Sequence, residues 1–348
     1  MTTLSTSFSL NGSAPVIPVA DQPLVRRSVY KLGRIAVRAL IALCCLIAIA
    51  FIALHGYAAW LLSHPPIVSL GSNPMLAKQL SYSDVTFPSS DGHSLVNGWW
   101  IPSADDSRRT VVLSHGFGAN REELWVPMYD LAELLHRNDY NVLMFDYGFA
   151  SADHRAAATG GVSESRQLAG AIQFARAQGS DEVVVWGFSM GAGTALQVAL
   201  QGVPVDAMIL DSTFIADSST LYANISQRFH VPKFPSVSLI EMFFPLMSGS
   251  RLEQIPSDRL QNTAYDFPIF LIHGTSDDKA PVGISERVAQ SQTNALSRSW
   301  IVPGAIHEMI YRTHTKEYIQ RTEDFLASVH QVALAKAELS TSAAFYPV

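Results

Sequence analysis

The chain has 348 residues, of which 48% are apolar, and a formal charge of −6; this length accommodates one domain with a full core plus an additional hydrophobic element. The acidic balance leaves no basic footprint for nucleic acid. The two cysteines, Cys44 and Cys45, stand side by side in one apolar run, which excludes a disulfide framework and cysteine-based zinc sites from the remainder.

In chain order, residues 1–38 begin rich in Ser, Thr, Pro and Gly and end in the basic cluster Arg26, Arg27, Lys31, Arg34 and Arg38. They read as a disordered basic tail. Residues 39–62 contain no Asp, Glu, Lys or Arg, and at about 1.5 Å per residue they predict a transmembrane helix. The next Lys or Arg after Arg38 is Lys78, so the positive-inside rule places the N-terminus in the cytoplasm and the C-terminal bulk of the chain on the other side. In a bacterium this means the inner or plasma membrane. A cleaved signal peptide is the rival, but its hydrophobic region spans only ~7–15 residues; the longer run favours an uncleaved signal anchor. Tyr57 and Trp60 suit the outer interface. Cys44 and Cys45 read as small apolar residues of this span, with reversible acylation the alternative. Residues 63–80, with Pro65-Pro66, form a spacer.

A domain is expected over residues 81–338. Ser83–Phe87 and Leu95–Trp100 read as antiparallel strands joined at Ser90-Asp91-Gly92. Strands at 110–114, 141–146, 182–186 and 206–211 then alternate with helices near 121–137, 163–178 and 190–201. Such alternation predicts a mostly parallel sheet covered on both faces. Asn120 and Glu123 have the spacing of a capping box at the first of these helices. The pattern loosens over about 213–265, where prolines interrupt apolar residues such as Met242, Phe243, Phe244 and Leu246; this predicts short helices over a site. Strands at 267–272 and 299–302 come next, then a helix over 316–335 with Tyr318, Thr322, Phe325, Leu326, Val329 and Val332 on one face. Residues 339–348 are expected to be a frayed tail.

Gly187-Phe188-Ser189-Met190-Gly191 directly follows the strand Glu182–Trp186 and precedes small residues suited to a closely packed helix. A strand driven into a helix through a serine holds that serine in a strained, solvent-directed turn, and flanking glycines permit the close approach. A serine hydroxyl needs a base, an acid to orient the base, and donors for the oxyanion. His307, in Pro303-Gly304-Ala305-Ile306-His307, fits the base. Asp277 and Asp278 come after the strand 267–272 and compete as the acid, and Asp211, at another strand end, is a further alternative. The backbone N–H groups of Phe117, in the loop His115-Gly116-Phe117-Gly118, and of Met190 are the oxyanion donors. His115 and His273 read as structural residues ending strands. The other histidines are scattered, and His307-Glu308 begins no H-E-x-x-H run.

These segments resemble the serine α/β-hydrolases, and most closely the membrane-anchored group that includes the mammalian α/β-hydrolase-domain proteins 12, 13 and 17 and their bacterial relatives. His115-Gly116-Phe117-Gly118, Gly187–Gly191, His273-Gly274-Thr275-Ser276-Asp277 and Gly304-Ala305-Ile306-His307 match in order, and the resemblance covers roughly residues 80–330. It implies the α/β-hydrolase fold with a short helical lid. It also implies that the acid is Asp277, three residues after Gly274. One segment departs: Asp146-Tyr147-Gly148-Phe149 lacks the arginine that relatives carry after Asp-Tyr, so a relative's substrate does not transfer.

The expectation is a membrane-anchored serine hydrolase acting on a small-molecule or lipid-like acyl ester through Ser189, His307 and Asp277, without cofactor or metal. The alternatives are a serine peptidase of the same fold and a non-catalytic membrane-anchored scaffold. Oligomeric state has no sequence signature here.

Overall fold

The computed structural model describes residues 1–3, 5, 12, 23–228 and 231–345. A helix, α1, spans Pro23–Ser63. Its segment Tyr30–Ser63, 34 residues with a mean hydropathy of 2.8, is long and apolar enough to cross a membrane. From Pro23 onward the basic cluster is therefore helical rather than part of an unstructured tail, in keeping with the good helix propensity of Leu, Ala, Arg and Lys. Most of the tail before Pro23 lies outside the described residues. Met1–Ala53 and Leu54–Val348 form two units, and the second carries the sheet and its surrounding helices.

Eight strands form one sheet: β1 Ser83–Pro88, β2 Leu95–Ile101, β3 Arg109–Ser114, β4 Asn141–Phe145, β5 Glu182–Phe188, β6 Ala207–Asp211, β7 Ile269–Gly274 and β8 Arg298–Val302. Their order is β1-β2-β4-β3-β5-β6-β7-β8. β1 and β2 pair antiparallel, as do β2 and β4, and the rest are parallel. Strands buried on both faces read as unbroken apolar runs, as Val183-Val184-Val185 does. Val112, Val183 and Val185 pack with α4 (Val162–Ala177) and α5 (Met190–Leu200) in one core. Val111, Leu113, Val184 and Trp186 face the other way, into a core with α3 (Met128–Arg137) and the C-terminal helix. Each fully buried side chain of this size contributes about 1.5–3 kcal/mol.

Several elements differ from expectation. The spacer contains a short helix, α2 (Pro74–Lys78), started by the Asn73 side chain accepting from Leu76 N–H at 2.9 Å and by Pro74 in the first turn. The helix expected from residue 121 begins only at Met128, because Arg121–Pro127 forms turns. No capping box forms there: Asn120 Oδ1 accepts from Glu122 N–H at 3.0 Å, while Glu123 turns back to Gly116. Between β6 and β7 stand α6 (Ser218–Arg228), α7 (Lys233–Ser248) and α8 (Ser257–Asn262). α9 (Gly283–Ser291) and α10 (Ile310–Thr313) come after them, and the last helix, α11, runs Thr315–Phe345. Its helical backbone thus takes in most of the expected frayed tail, the last three residues of which lie outside the described ones. Tyr318, Thr322, Phe325, Leu326 and Val329 are buried, whereas Val332 is exposed.

The 242–247 run divides between environments. Phe244 is buried with Val237 and Ile240 against Leu221 of α6 and Ala59, while Met242 and Leu246 are exposed. The C-terminal ends of β3, β5, β6, β7 and β8 lie along one edge of the sheet, where parallel α/β sheets gather their functional loops.

Candidate active site

The turn from β5 to α5 sets Ser189 at φ 48° and ψ −116°, a conformation that costs on the order of 1–3 kcal/mol for a non-glycine residue. It requires close backbone approach. A Cβ on Gly187 would lie 2.6 Å from Ala192 Cα, and one on Gly191 would overlap the carbonyl oxygen of Ser114. The strained residue is pinned by its own backbone: Ser189 N–H donates to Asp211 C=O at 2.9 Å, and its C=O accepts from Phe214 N–H at 3.0 Å and Ala192 N–H at 3.1 Å.

His307 Nε2 lies 2.9 Å from Ser189 Oγ, and His307 Nδ1 lies 2.7 Å from Asp277 Oδ2. Of the two competing aspartates, Asp277 meets the imidazole and Asp278 is exposed. Asp277 Oδ1 accepts from the N–H groups of Lys279 and Ala280, both at 2.8 Å. His273 Nε2 stands 3.2 Å from Asp277 Oδ2, so this structural histidine also supports the acid. Burial works to raise the Asp277 carboxyl, but hydrogen bonds from His273 and His307 prevail and hold it below the ordinary carboxylate range. Burial likewise works to lower His307; the hydrogen bond to Asp277 and the charge of Glu308 outweigh it and raise the imidazole above its usual 6.5.

Asp211 is committed elsewhere. It accepts from Tyr318 Oη–H at 2.7 Å and from Ser212 Oγ–H at 2.9 Å, and burial raises its pKa. His115 is neutral, lowered to about 4 by burial. Its Nε2 accepts from Tyr147 N–H at 3.1 Å, which leaves Nδ1–H to donate to Gly116 C=O at 2.9 Å.

The Phe117 and Met190 N–H groups donate to no acceptor among the described residues. Met190 opens α5, where the first N–H groups have no partner in the helix and carry its positive end. The loop holding Phe117 is fixed by a buried pair: Asp146 accepts from Arg121 Nη2 and from Arg121 N–H, both at 2.7 Å. In the segment without the arginine, Phe149 packs its ring 6.0 Å from that of Phe117. An aromatic surface thus backs the loop.

Two carboxylates beside His307 had no distinct sequence signal. Glu308 was visible only as the residue after the candidate base, and Glu123 only as a capping residue. Both are buried, and both sit at positive φ, 57° and 35°. Glu308 accepts from the Trp125 indole N–H and donates its own N–H to Ser212 Oγ at 3.0 Å. Its Oε2 is 3.8 Å from His307 Nε2, and its Oε1 has no partner. Glu123 accepts from Gly116 N–H at 3.3 Å. Oε1 of each carboxylate lies 3.0 Å from the point where a Cβ on Gly116 would stand. Burial pushes Glu308 up to about 7, and burial together with the Glu308 charge pushes Glu123 well above the usual range.

Ser189, His307, Phe117 and Met190 line a cavity of about 420 Å³ together with Leu221, Ile240 and Phe244 of α6 and α7. Among the described residues no cluster of His, Cys, Asp and Glu has the arrangement to hold a metal ion.

The charges around His307 make a titration measurable. Imidazole NMR of the full chain should give His307 a pKa above 6.5. Glu308→Gln, which removes one raising charge, should lower it, and Asp277→Asn, which removes both a hydrogen bond and a charge, should lower it as well. Asp278→Asn should leave it in place. An unmoved titration in Asp277→Asn would contradict the geometry.

The model of the α/β-hydrolase fold family matches residues 109–237. The uncharacterized protein YfhR of Escherichia coli is 27% identical over 257 residues, covering 71% of this chain and 81% of its own length. The uncharacterized protein YqkD of Bacillus subtilis is 22% identical over 261 residues, 73% of this chain and 82% of its own. Among solved structures, the Pyrococcus furiosus esterase Pf2001 superposes with a TM-score of 0.62 at 24% identity, covering 77% of this chain and 98% of the esterase. Est1E of Butyrivibrio proteoclasticus, solved with ferulic acid bound, superposes with a TM-score of 0.53 at 16% identity, covering 71% and 100%. The sheet order, the turn at Ser189 and the family match agree that the chain has the α/β-hydrolase fold.

Proposed function

We propose that this chain is a membrane-anchored serine hydrolase that cleaves esters of acyl or lipid-like character. The observation that carries the reading is the unbroken contact from Ser189 Oγ to His307 Nε2 at 2.9 Å and from His307 Nδ1 to Asp277 at 2.7 Å, in a cavity with a largely apolar lining. Ser189 Oγ attacks the ester carbonyl carbon while its proton passes to His307 Nε2. Asp277 fixes the tautomer and stabilises the imidazolium. The Phe117 and Met190 N–H groups hold the oxyanion. Collapse expels the alcohol, which takes the proton from Nε2 and leaves an acyl-serine. Water then attacks the acyl carbon and gives a proton to Nε2; collapse releases the acid as Ser189 Oγ takes that proton back from Nε2, restoring the free serine and neutral imidazole. No cofactor enters these steps. The esterase names of the two similar solved structures favour an ester over an amide.

The apolar stretch Tyr30–Ser63 supports the anchor. The Lys and Arg residues from Arg26 to Arg38, with no Lys or Arg between Arg38 and Lys78, support a cytoplasmic N-terminus and a catalytic domain across the membrane.

Ser189→Ala should lower hydrolysis of p-nitrophenyl esters by at least ~10³-fold, since only binding and oxyanion effects remain, and should abolish fluorophosphonate labelling. Unchanged turnover would return the chain to the scaffold reading. Asp277→Asn should lower kcat on the order of 10⁴-fold, as loss of the buried acid does in serine proteases, while Asp278→Asn should stay near wild type; the reverse order would reassign the acid. In a bacterial host, alkaline phosphatase fused after Ala77 should be active, and an inactive fusion would place the domain in the cytoplasm.

A further inference from the structure

The cavity has a wall that a simple anchor does not need to supply. Ala58, Leu61 and Leu62, from the last turns of α1, line the same cavity as Ser189 and His307. Their spacing of three and four places them on one face of the helix. These turns belong to the same unit as the sheet, and they are held there. Ala59 is fully buried against Leu221, Ile240 and Phe244. Gly56 lies against the Phe243 ring, to which a Cβ would come within 3.9 Å. Ser63 is buried, and its C=O accepts from Ala158 N–H at 2.7 Å.

We propose that the end of α1 forms one wall of an acyl-binding arm that begins at Ser189, so that the helix read as the membrane anchor also selects the acyl chain. This rests on the ester-hydrolase reading and names its substrate class: esters whose acyl part is an unbranched hydrocarbon chain long enough to leave the nucleophile and reach Leu61 and Leu62.

The chemistry of the lining supports a hydrocarbon occupant. Leu221, Ile240 and Phe244 face the arm along with the α1 residues, and apolar surface taken from water there is worth about 25 cal/mol per Å². Two polar residues of the lining are engaged elsewhere. Asp217 accepts from Thr220 N–H at 2.8 Å and from Ser257 Oγ–H at 2.5 Å, and Asn224 donates to Lys279 C=O at 2.6 Å. A hydrocarbon chain needs no polar partner along the arm. The neighbouring helix surface carries exposed Tyr57 and Trp60, their rings stacked at 5.9 Å. Amphipathic aromatic rings of this kind settle at a membrane interface, where acyl chains are at hand.

Filling the wall tests this. Full-length chain in detergent would be assayed with p-nitrophenyl acetate, butyrate, octanoate and dodecanoate. Ala58→Phe and Leu62→Trp should each lower the octanoate-to-acetate ratio of kcat/KM at least tenfold. Leu61→Ala, which enlarges the arm without the risk of overpacking, should raise the dodecanoate-to-octanoate ratio. Trp60→Ala, outside the lining, should leave both ratios within twofold. A second measurement needs no turnover: dodecanoic acid bearing a terminal diazirine should photocrosslink at Leu61 or Leu62 in Ser189→Ala, and not once Ala58→Phe is added. Ester hydrolysis with unchanged ratios in all three wall variants would overturn the proposal. Crosslinking at Leu61 or Leu62 that is lost with Ala58→Phe, in a chain that hydrolyses no ester, would instead sink the ester reading and leave the wall standing.

Discussion

The backbone of Ser189 is the point on which the site depends. A residue with a side chain is held at φ 48° and ψ −116°, and nothing local to it favours that conformation. It persists because its surroundings over-determine it. Its N–H and C=O are taken by Asp211 and Phe214, at and just beyond the end of β6, and Gly187 and Gly191 let strand, helix and the end of β3 close around it. The strain is therefore carried by the parallel pairing of β5 with β6 and of β3 with β5, each buried on both faces. Stability far from the site is converted into the position of one hydroxyl group.

The same edge of the sheet supplies the partners of that hydroxyl. Asp277 leaves β7 and His307 comes after β8, and neighbouring strands bring their loops together because β7 pairs with β8 in register from Phe270 to Gly274. Supporting contacts then specify each group. His273, itself the penultimate residue of β7, stands against Asp277, and Ser212 beyond β6 receives the Glu308 N–H. Glu308 adds a second carboxylate beside the imidazole, paired with Glu123 without a cation between them. Burial raises the pKa of both carboxyl groups of the pair.

The helices between β6 and β7 give the cavity its apolar character, and the end of α1 joins them. Val237, Ile240 and Phe244 of α7 recur on one face and close over Leu221 and Ala59. This packing explains why a proline-interrupted stretch forms ordered helices: its apolar residues have a second surface to bury against, one that comes from far upstream in the chain. A chain beginning after α1 would keep Ser189, His307 and Asp277 but lose a wall of their cavity.

Local patterns in the sequence determined much of this. Continuous β-branched runs marked the central strands, the glycines around Ser189 marked the turn, and the apolar stretch from residue 39 marked the helix, because each is dictated by neighbours a few residues away. The face of α11 from Tyr318 to Val329 was legible for the same reason. Only the tertiary structure distinguished Asp277 from Asp278 by contact, since two adjacent residues in a turn point in different directions that depend on where β8 delivers His307. It alone showed Glu123 leaving its capping position for Gly116, because Asp146, a strand away, pins Arg121 and reshapes the loop. The Glu123–Glu308 pair and the cavity wall from Ala58, Leu61 and Leu62 join segments separated by most of the domain. Burial and close approach between distant segments leave no periodicity in a sequence, so those features existed only once the chain had folded.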